Sequence, residues 1–149
     1  MAICGDMTTE LPTDEVDWEA LRRAAAAASL NSYCPYSRFR VGVAGFVDDG
    51  RLVVGANVEN ASYGLTLCAE CSLVSHLHAT GGGRLLAIYC VDGQGVVLMP
   101  CGRCRQLLYE HGGPDLQIMT PRGVFTMADI LPQAFGPWDL AARDTGENN

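Results

Sequence analysis

Apolar positions recur along the chain at two periods, about 3.6 residues and two residues, and the switches between them mark out the elements. Trp18, Leu21, Ala25 and Ala28 fall at helical spacing, which predicts an amphipathic helix over about residues 14–30. Thr13 or Asp14 can cap it, and Glu15 and Asp17 suit its positive end. The alanines at 24–28 favour helix and allow close packing. Pro35 closes this region. Over 39–47 the period drops to two, with Val41, Val43 and Val47 on one face of a strand. Asp49-Gly50 signals a hairpin, so 51–58 is expected to pair antiparallel with it, Leu52, Val54, Ala56 and Val58 alternating. A helix is expected from near Cys68 to about Thr80, stopped by Gly81, Gly82 and Gly83. Residues 84–91 are almost continuously apolar and predict a buried strand. After the Asp92-Gly93 turn come a short strand over 95–99, a helix from Pro100 to Gly112-Gly113, and a last strand over 115–120. A short helix over about 127–131 and a segment over 133–140 complete the pattern.

This order predicts an α/β fold, a mixed sheet covered by helices. At 149 residues the chain suits one domain, with about 1–13 and 141–149 as tails; no linker or repeat interrupts it. A hydrophobic content of 48% excludes a disordered chain. The net charge of −7 argues against a nucleic-acid partner, because phosphate binding relies on Lys and Arg. The start of the chain is acidic, unlike a signal peptide, and no apolar run approaches the ~20 residues of a membrane helix. A soluble cytoplasmic protein without a membrane partner is expected.

Seven cysteines change the picture further. Their odd number and the absence of a secretion signal argue for metal over disulfides. The central signal is Cys68-Ala69-Glu70 followed by Pro100-Cys101-Gly102-Arg103-Cys104. Both pieces sit where the chain enters a helix. There free N–H groups and the helix dipole favour anions, and so thiolates. Cys101 and Cys104 are one turn apart, and Cys68 supplies a third sulfur from the partner helix. Three sulfurs suit zinc and leave its fourth position to water, as in a catalytic site. Zinc brings the pKa of such a water to about 7. Glu70 can stand beside the water without being a ligand and carry its proton. A structural site would need a fourth donor, for which Cys71, Cys34 and His76 are candidates. Cys4, Cys34 and Cys90 are expected to be free thiols, and His76, His78 and His111 structural or surface residues.

The stretches YCPYSRFRVGVAG, NVENASYG, CAE, PCGRCRQLL and LPQAFGPWDL resemble the nucleoside cytidine deaminases in their small homotetrameric form, over about residues 33–140. The resemblance implies a three-layer α/β/α deaminase fold with about five strands and one Zn²⁺ per subunit. It also implies hydrolytic deamination of cytidine and 2′-deoxycytidine in pyrimidine salvage. It places Asn57 and Glu59 on the ribose, and strand alternation agrees by pointing both side chains the same way. It places Phe39 at the base pocket, brings Tyr63 and Phe135 to it near or across subunit boundaries, and gives the backbone of Ala69 the base edge. One position departs. Family members with three cysteine ligands often carry Arg directly after the catalytic Glu, where this chain has Cys71. Three thiolates on Zn²⁺ sum to −1, so Arg103, or another arginine nearby such as Arg105, is expected to supply the missing charge. Three other outcomes stay open at this point: a deaminase of a related cytosine nucleoside such as an antibiotic, a polynucleotide-editing deaminase, and a structural zinc-binding interaction module.

Overall fold

The computed structural model describes residues 16–141. Helix α1 (Trp18–Ser29) begins later than its periodicity suggests. Asp17 caps it, its Oδ1 accepting the Ala20 N–H at 2.8 Å. The caps expected at Thr13 and Asp14 lie outside the described residues.

Strands β1 (Val41–Val47) and β2 (Leu52–Ala56) form the expected hairpin, in register from Gly42 opposite Ala56 to Phe46 opposite Leu52. Then follow α2 (Ala69–Ala79), β3 (Leu85–Asp92), α3 (Gly102–Gly112), β4 (Gln117–Thr120), β5 (Gly123–Thr126), α4 (Met127–Ile130) and α5 (Pro137–Ala141). The sheet order is β2-β1-β3-β4-β5. β1 is antiparallel to both β2 and β3, so those two run in the same direction. β4 is parallel to β3, and β5 antiparallel to β4.

Helices cover both faces. Leu21 and Ala25 of α1 pack on Ala44, Ala87 and Val91 on one side. On the other, Leu73 and Leu77 of α2 and Leu108 of α3 pack on Val43, Val47, Val53 and Ile88. Two glycines set how closely these layers meet. A Cβ on Gly42 would lie 2.0 Å from the Ala25 carbonyl oxygen, and one on Gly55 would lie 2.2 Å from that of Ala69. Only a bare backbone fits, and at Gly55 this lays the first turn of α2 directly on β2.

Three expectations need correction. On β2 it is Val53 and Gly55 that face the larger cluster, while Leu52 is exposed and Val54 packs on the α1 side. Glycine carries no apolar signal, so its burial went unseen. Residues 95–99 make only a bridge, Val97 to Val91. The Asp92 carboxylate takes the Gln94 and Val96 N–H groups and winds that segment into a turn. The fifth strand is instead β5, four residues long and half exposed, too short for its period to register. The edge strand β2 is guarded by His76, whose Nδ1 sits 3.1 Å from the Val54 nitrogen and 3.2 Å from its oxygen.

Candidate metal centre and nucleoside pocket

Because β2 and β3 run the same way, the helices that follow them start at the same end of the sheet. Cys68 is the N-cap of α2 and Cys101 the N-cap of α3, both in extended conformation, and Cys104 lies in the first turn of α3. Their three sulfurs lie within 4.8 Å of one another. Around a tetrahedral zinc with Zn–S of about 2.3 Å, sulfurs sit about 3.8 Å apart, so a small closure suffices. The donor set fits zinc.

The thiols are not alike. Burial pushes Cys104 far up, reinforced by the Glu70 charge, and burial also raises Cys68. Cys101 is desolvated too, but the N–H groups of Cys104 and Arg103 and the neighbouring thiols outweigh this and hold it below its ordinary value. The helix start therefore favours the thiolate at Cys101 alone, and the other two depend on a cation to ionise.

Glu70 is only 4% exposed. Its hydrogen-bond contacts among the described residues are with thiols alone: the buried Cys90, 3.8 Å from Oε1, and Cys104. A carboxylate so enclosed and so thinly partnered has no structural task that would retain it. Cys71 is turned elsewhere: its sulfur receives Arg103 Nη2 at 3.1 Å. That contact, with the charges of Cys71, Cys68 and Cys104, raises the arginine above its ordinary value. Among the described residues no fourth His, Cys, Asp or Glu joins the cluster, as a closed structural site would require. Arg105 points away, to the carbonyls of Pro100 and Ile130.

Next to this end of the sheet, Asn57 and Glu59 reach for one segment, as alternation predicted, although β2 itself ends at Ala56. Asn57 Oδ1 accepts the Val41 N–H and its Nδ2 donates to the Phe39 carbonyl, each at 2.9 Å. Glu59 accepts the N–H groups of Tyr36 at 2.9 Å and Ser37 at 3.2 Å, as well as the Ser37 hydroxyl. The Ser37 bond, with these N–H groups, holds its carboxyl below the usual range. Between them Arg38 takes a φ of 58°, a region that residues with a Cβ avoid, and the two polar side chains hold the turn there.

The description "Cytidine and deoxycytidylate deaminase zinc-binding region" matches residues 15–120. The cytidine deaminase of Mycobacterium tuberculosis is 63% identical over 126 residues, 85% of this chain and 95% of the relative. The crystal structure of cytidine deaminase from Mycobacterium leprae superposes with a TM-score of 0.79 at 73% identity, covering 80% of this chain and all of that one. That from Burkholderia pseudomallei does so with a TM-score of 0.73 at 39% identity, again covering 80% and 100%. The chain belongs to the cytidine and deoxycytidylate deaminase family.

Its fold is that of the solved cytidine deaminases, the family match is to a zinc-binding region, and the cluster of Cys68, Cys101 and Cys104 within that region could hold a zinc ion. The aromatic residues assigned to the deaminase pocket stand open in a single chain: Phe39 is 52% exposed, Tyr63 73% and Phe135 58%. Tyr63 stacks edge-on against Tyr36 with centroids 5.8 Å apart. The Phe135 carbonyl is fixed by Gln106 Nε2 at 2.8 Å, leaving the ring outward. Ala69 is fully buried as the first residue of α2, so its N–H has no intrahelical partner.

Periodicity and motif reasoning missed three contributors. Ser37 and Tyr36 are seen only through their bonds to Glu59, and Cys90 only through its contact with Glu70. Their partners lie 20 or more residues away, so only the fold brings them together.

Proposed function

We propose that this chain hydrolyses cytidine and 2′-deoxycytidine to the uridine nucleosides and ammonia, in pyrimidine salvage. The observation that carries the proposal is the geometry at the starts of α2 and α3: three sulfurs within 4.8 Å and a buried carboxylate two residues from the first. The relatives named above are cytidine deaminases, and a nucleoside is the small-molecule substrate that fits them.

Cys68, Cys101 and Cys104 would hold zinc, which when bound supplies an electrophile and an acidified water. Glu70 takes one proton of the attacking water and delivers it to N3 of the base, then takes the second from the hydroxyl now on C4 and passes it to the leaving amine. Water adds at C4, the C4–N bond breaks, and ammonia leaves. Ala69 offers its free N–H to the base edge. Asn57 and Glu59 bind the ribose hydroxyls with the amide and carboxylate capacity left after they hold the 36–41 turn. Phe39 stacks on the base, joined by Tyr63 and by Phe135 from a neighbouring subunit of a homotetramer. Arg103 offsets the excess charge of the thiolates. The described residues form one sheet with both faces covered, consistent with a single domain. Cysteines 34, 68, 71, 90, 101 and 104 carry no disulfide, which suits the reducing cytoplasm.

The test is to follow the loss of ultraviolet absorbance on incubation with cytidine and with deoxycytidine. The zinc-loaded protein is expected to turn over both. Glu70→Gln should keep one zinc per chain and lose turnover by several orders of magnitude. Near-normal activity in that variant would overturn the role of Glu70, and inactivity of the native protein on both nucleosides would overturn the substrate.

A further inference from the structure

The helices that present the sulfur cluster at their N-terminal ends also meet at their other ends. His78 lies in the last turn of α2 and His111 in the last turn of α3. Their imidazoles are edge-on, with centroids 4.9 Å apart, and His78 Nε2 is 3.2 Å from His111 Nδ1. His78 is exposed and His111 half-buried, so solvent reaches the pair. The deamination chemistry makes no use of either residue.

Two imidazole nitrogens facing each other at this distance can be joined in two ways. With both rings neutral, one donates its N–H to the other. Alternatively, a divalent transition ion takes the proton's place. Two nitrogen ligands at about 2.0–2.1 Å from an ion are about 2.9 Å apart at a right angle and about 3.4 Å apart at the tetrahedral angle. The observed separation falls between these. We infer that His78 and His111 form a second, exchangeable metal site for an imidazole-preferring divalent ion such as Zn²⁺ or Ni²⁺, with water completing the coordination.

Three features favour occupancy. Burial, with the neighbouring His78, holds His111 below its ordinary value, so its nitrogen is unprotonated at neutral pH. The site also joins two rigid helices that are already packed, so little ordering is needed to bring the donors together. Both His residues stand near the negative ends of their helices, where a cation is stabilised. An ion there would clasp the far ends of the two helices that hold the sulfur cluster. The inference does not depend on the deaminase reading, since it concerns different residues and a different ion.

The experiment is equilibrium dialysis of the full-length protein against micromolar Zn²⁺, with bound metal counted per chain, alongside retention of the untagged protein on immobilised Ni²⁺. The native chain is expected to hold two zinc ions and to be retained on the column. His78→Gln and His111→Gln should each hold one zinc and elute early, with cytidine turnover unchanged at one zinc per chain. Cys101→Ala should lose the other ion and still bind the column. Zinc content and column retention that neither histidine substitution lowers would overturn the inference. Failure of the sulfur site would show instead as a zinc content that Cys101→Ala does not lower.

Discussion

Three thiolates carry more charge than one divalent cation offsets, and Arg103 is the residue expected from the sequence to meet that excess. The residue after Glu70 is Cys71, and a guanidinium reaches it from α3, where Arg103 Nη2 lies 3.1 Å from the Cys71 sulfur. We propose that this guanidinium, borne by the other helix, supplies the compensating charge at nearly the same place. Replacing Arg103 with Gln is therefore expected to weaken zinc retention and lower turnover, each by less than about tenfold, because the guanidinium is exposed and screened by water. Adding Cys71→Arg to that variant should restore much of both. A chelator competition with a chromogenic zinc dye measures the first quantity and the cytidine assay the second; values unchanged in Arg103→Gln would remove the idea. At this scale the site was largely legible beforehand. Cysteine spacing and an adjacent acid are demanded by the chemistry itself, so they stand out in one dimension. Cys90, Tyr36 and Ser37 did not stand out, because an ordinary apolar or polar residue becomes informative only through the partner it meets.

The helices and the central strands follow their periodicity, and the errors fall where one side chain or one glycine decides. The Asp92 carboxylate winds the start of 95–99 into a turn, leaving a bridge to β3 in place of a strand, and Gly55 hides the true inner face of β2. The close contacts at Gly42 and Gly55 make a prediction about elements. Gly55→Ala would force α2 away from β2 and displace the turn that carries Cys68 and Glu70, whereas Gly42→Ala would strain only the α1 contact. Both should lower stability by about 1–3 kcal/mol or more, as overpacking does. Gly55→Ala should in addition cut zinc affinity and turnover, while Gly42→Ala should leave activity per folded molecule near native. Urea unfolding of the two variants, with zinc content and turnover of the folded fraction, checks both halves.

The junction of α2 and α3 makes a second prediction, about pH. Burial first, and then the like charge of His78, depress the folded pKa of His111, with Glu110 opposing weakly. Below the ordinary His value of about 6.5 the unfolded chain binds this proton more readily than the folded one. The contribution to stability is therefore full above that value and is lost as pH falls towards the folded pKa. Stability of the metal-free protein should drop from about pH 7 to pH 5, more steeply than in His78→Gln, where the like-charge part is gone. Chemical denaturation across that range reads the slope, and equal slopes would show that the pair does not share its charge.

On the scale of the whole molecule, no described helix is long and apolar enough to cross a membrane, yet the surface is far from uniformly polar. Tyr63, Leu65 and Leu67 lie together in sequence and all are exposed, as are Phe135 and Trp138 near the end of the described chain. Exposed apolar groups at this density mark surfaces that another molecule covers. The stretches around Tyr63 and Phe135 are also those assigned to the base pocket, so the pocket of one chain would be finished by its neighbours. Sedimentation at micromolar concentration is accordingly expected to show a tetramer. A sharper outcome follows from mixing. Phe135→Ala chains keep Glu70 but cannot lend a ring to a neighbour, and Glu70→Gln chains lend the ring but cannot move the proton. Each homo-oligomer should be weak or inactive. When the two are unfolded together, refolded with zinc and allowed to assemble, some sites will pair a native Glu70 with a native Phe135 from the adjoining chain. Turnover should then rise well above the mean of the two parents, towards a fraction of native set by random assortment. Activity no greater than that mean would place Phe135 in its own chain's pocket or outside the pocket altogether, and a monomer in the centrifuge would leave the exposed aromatic surface to a different partner.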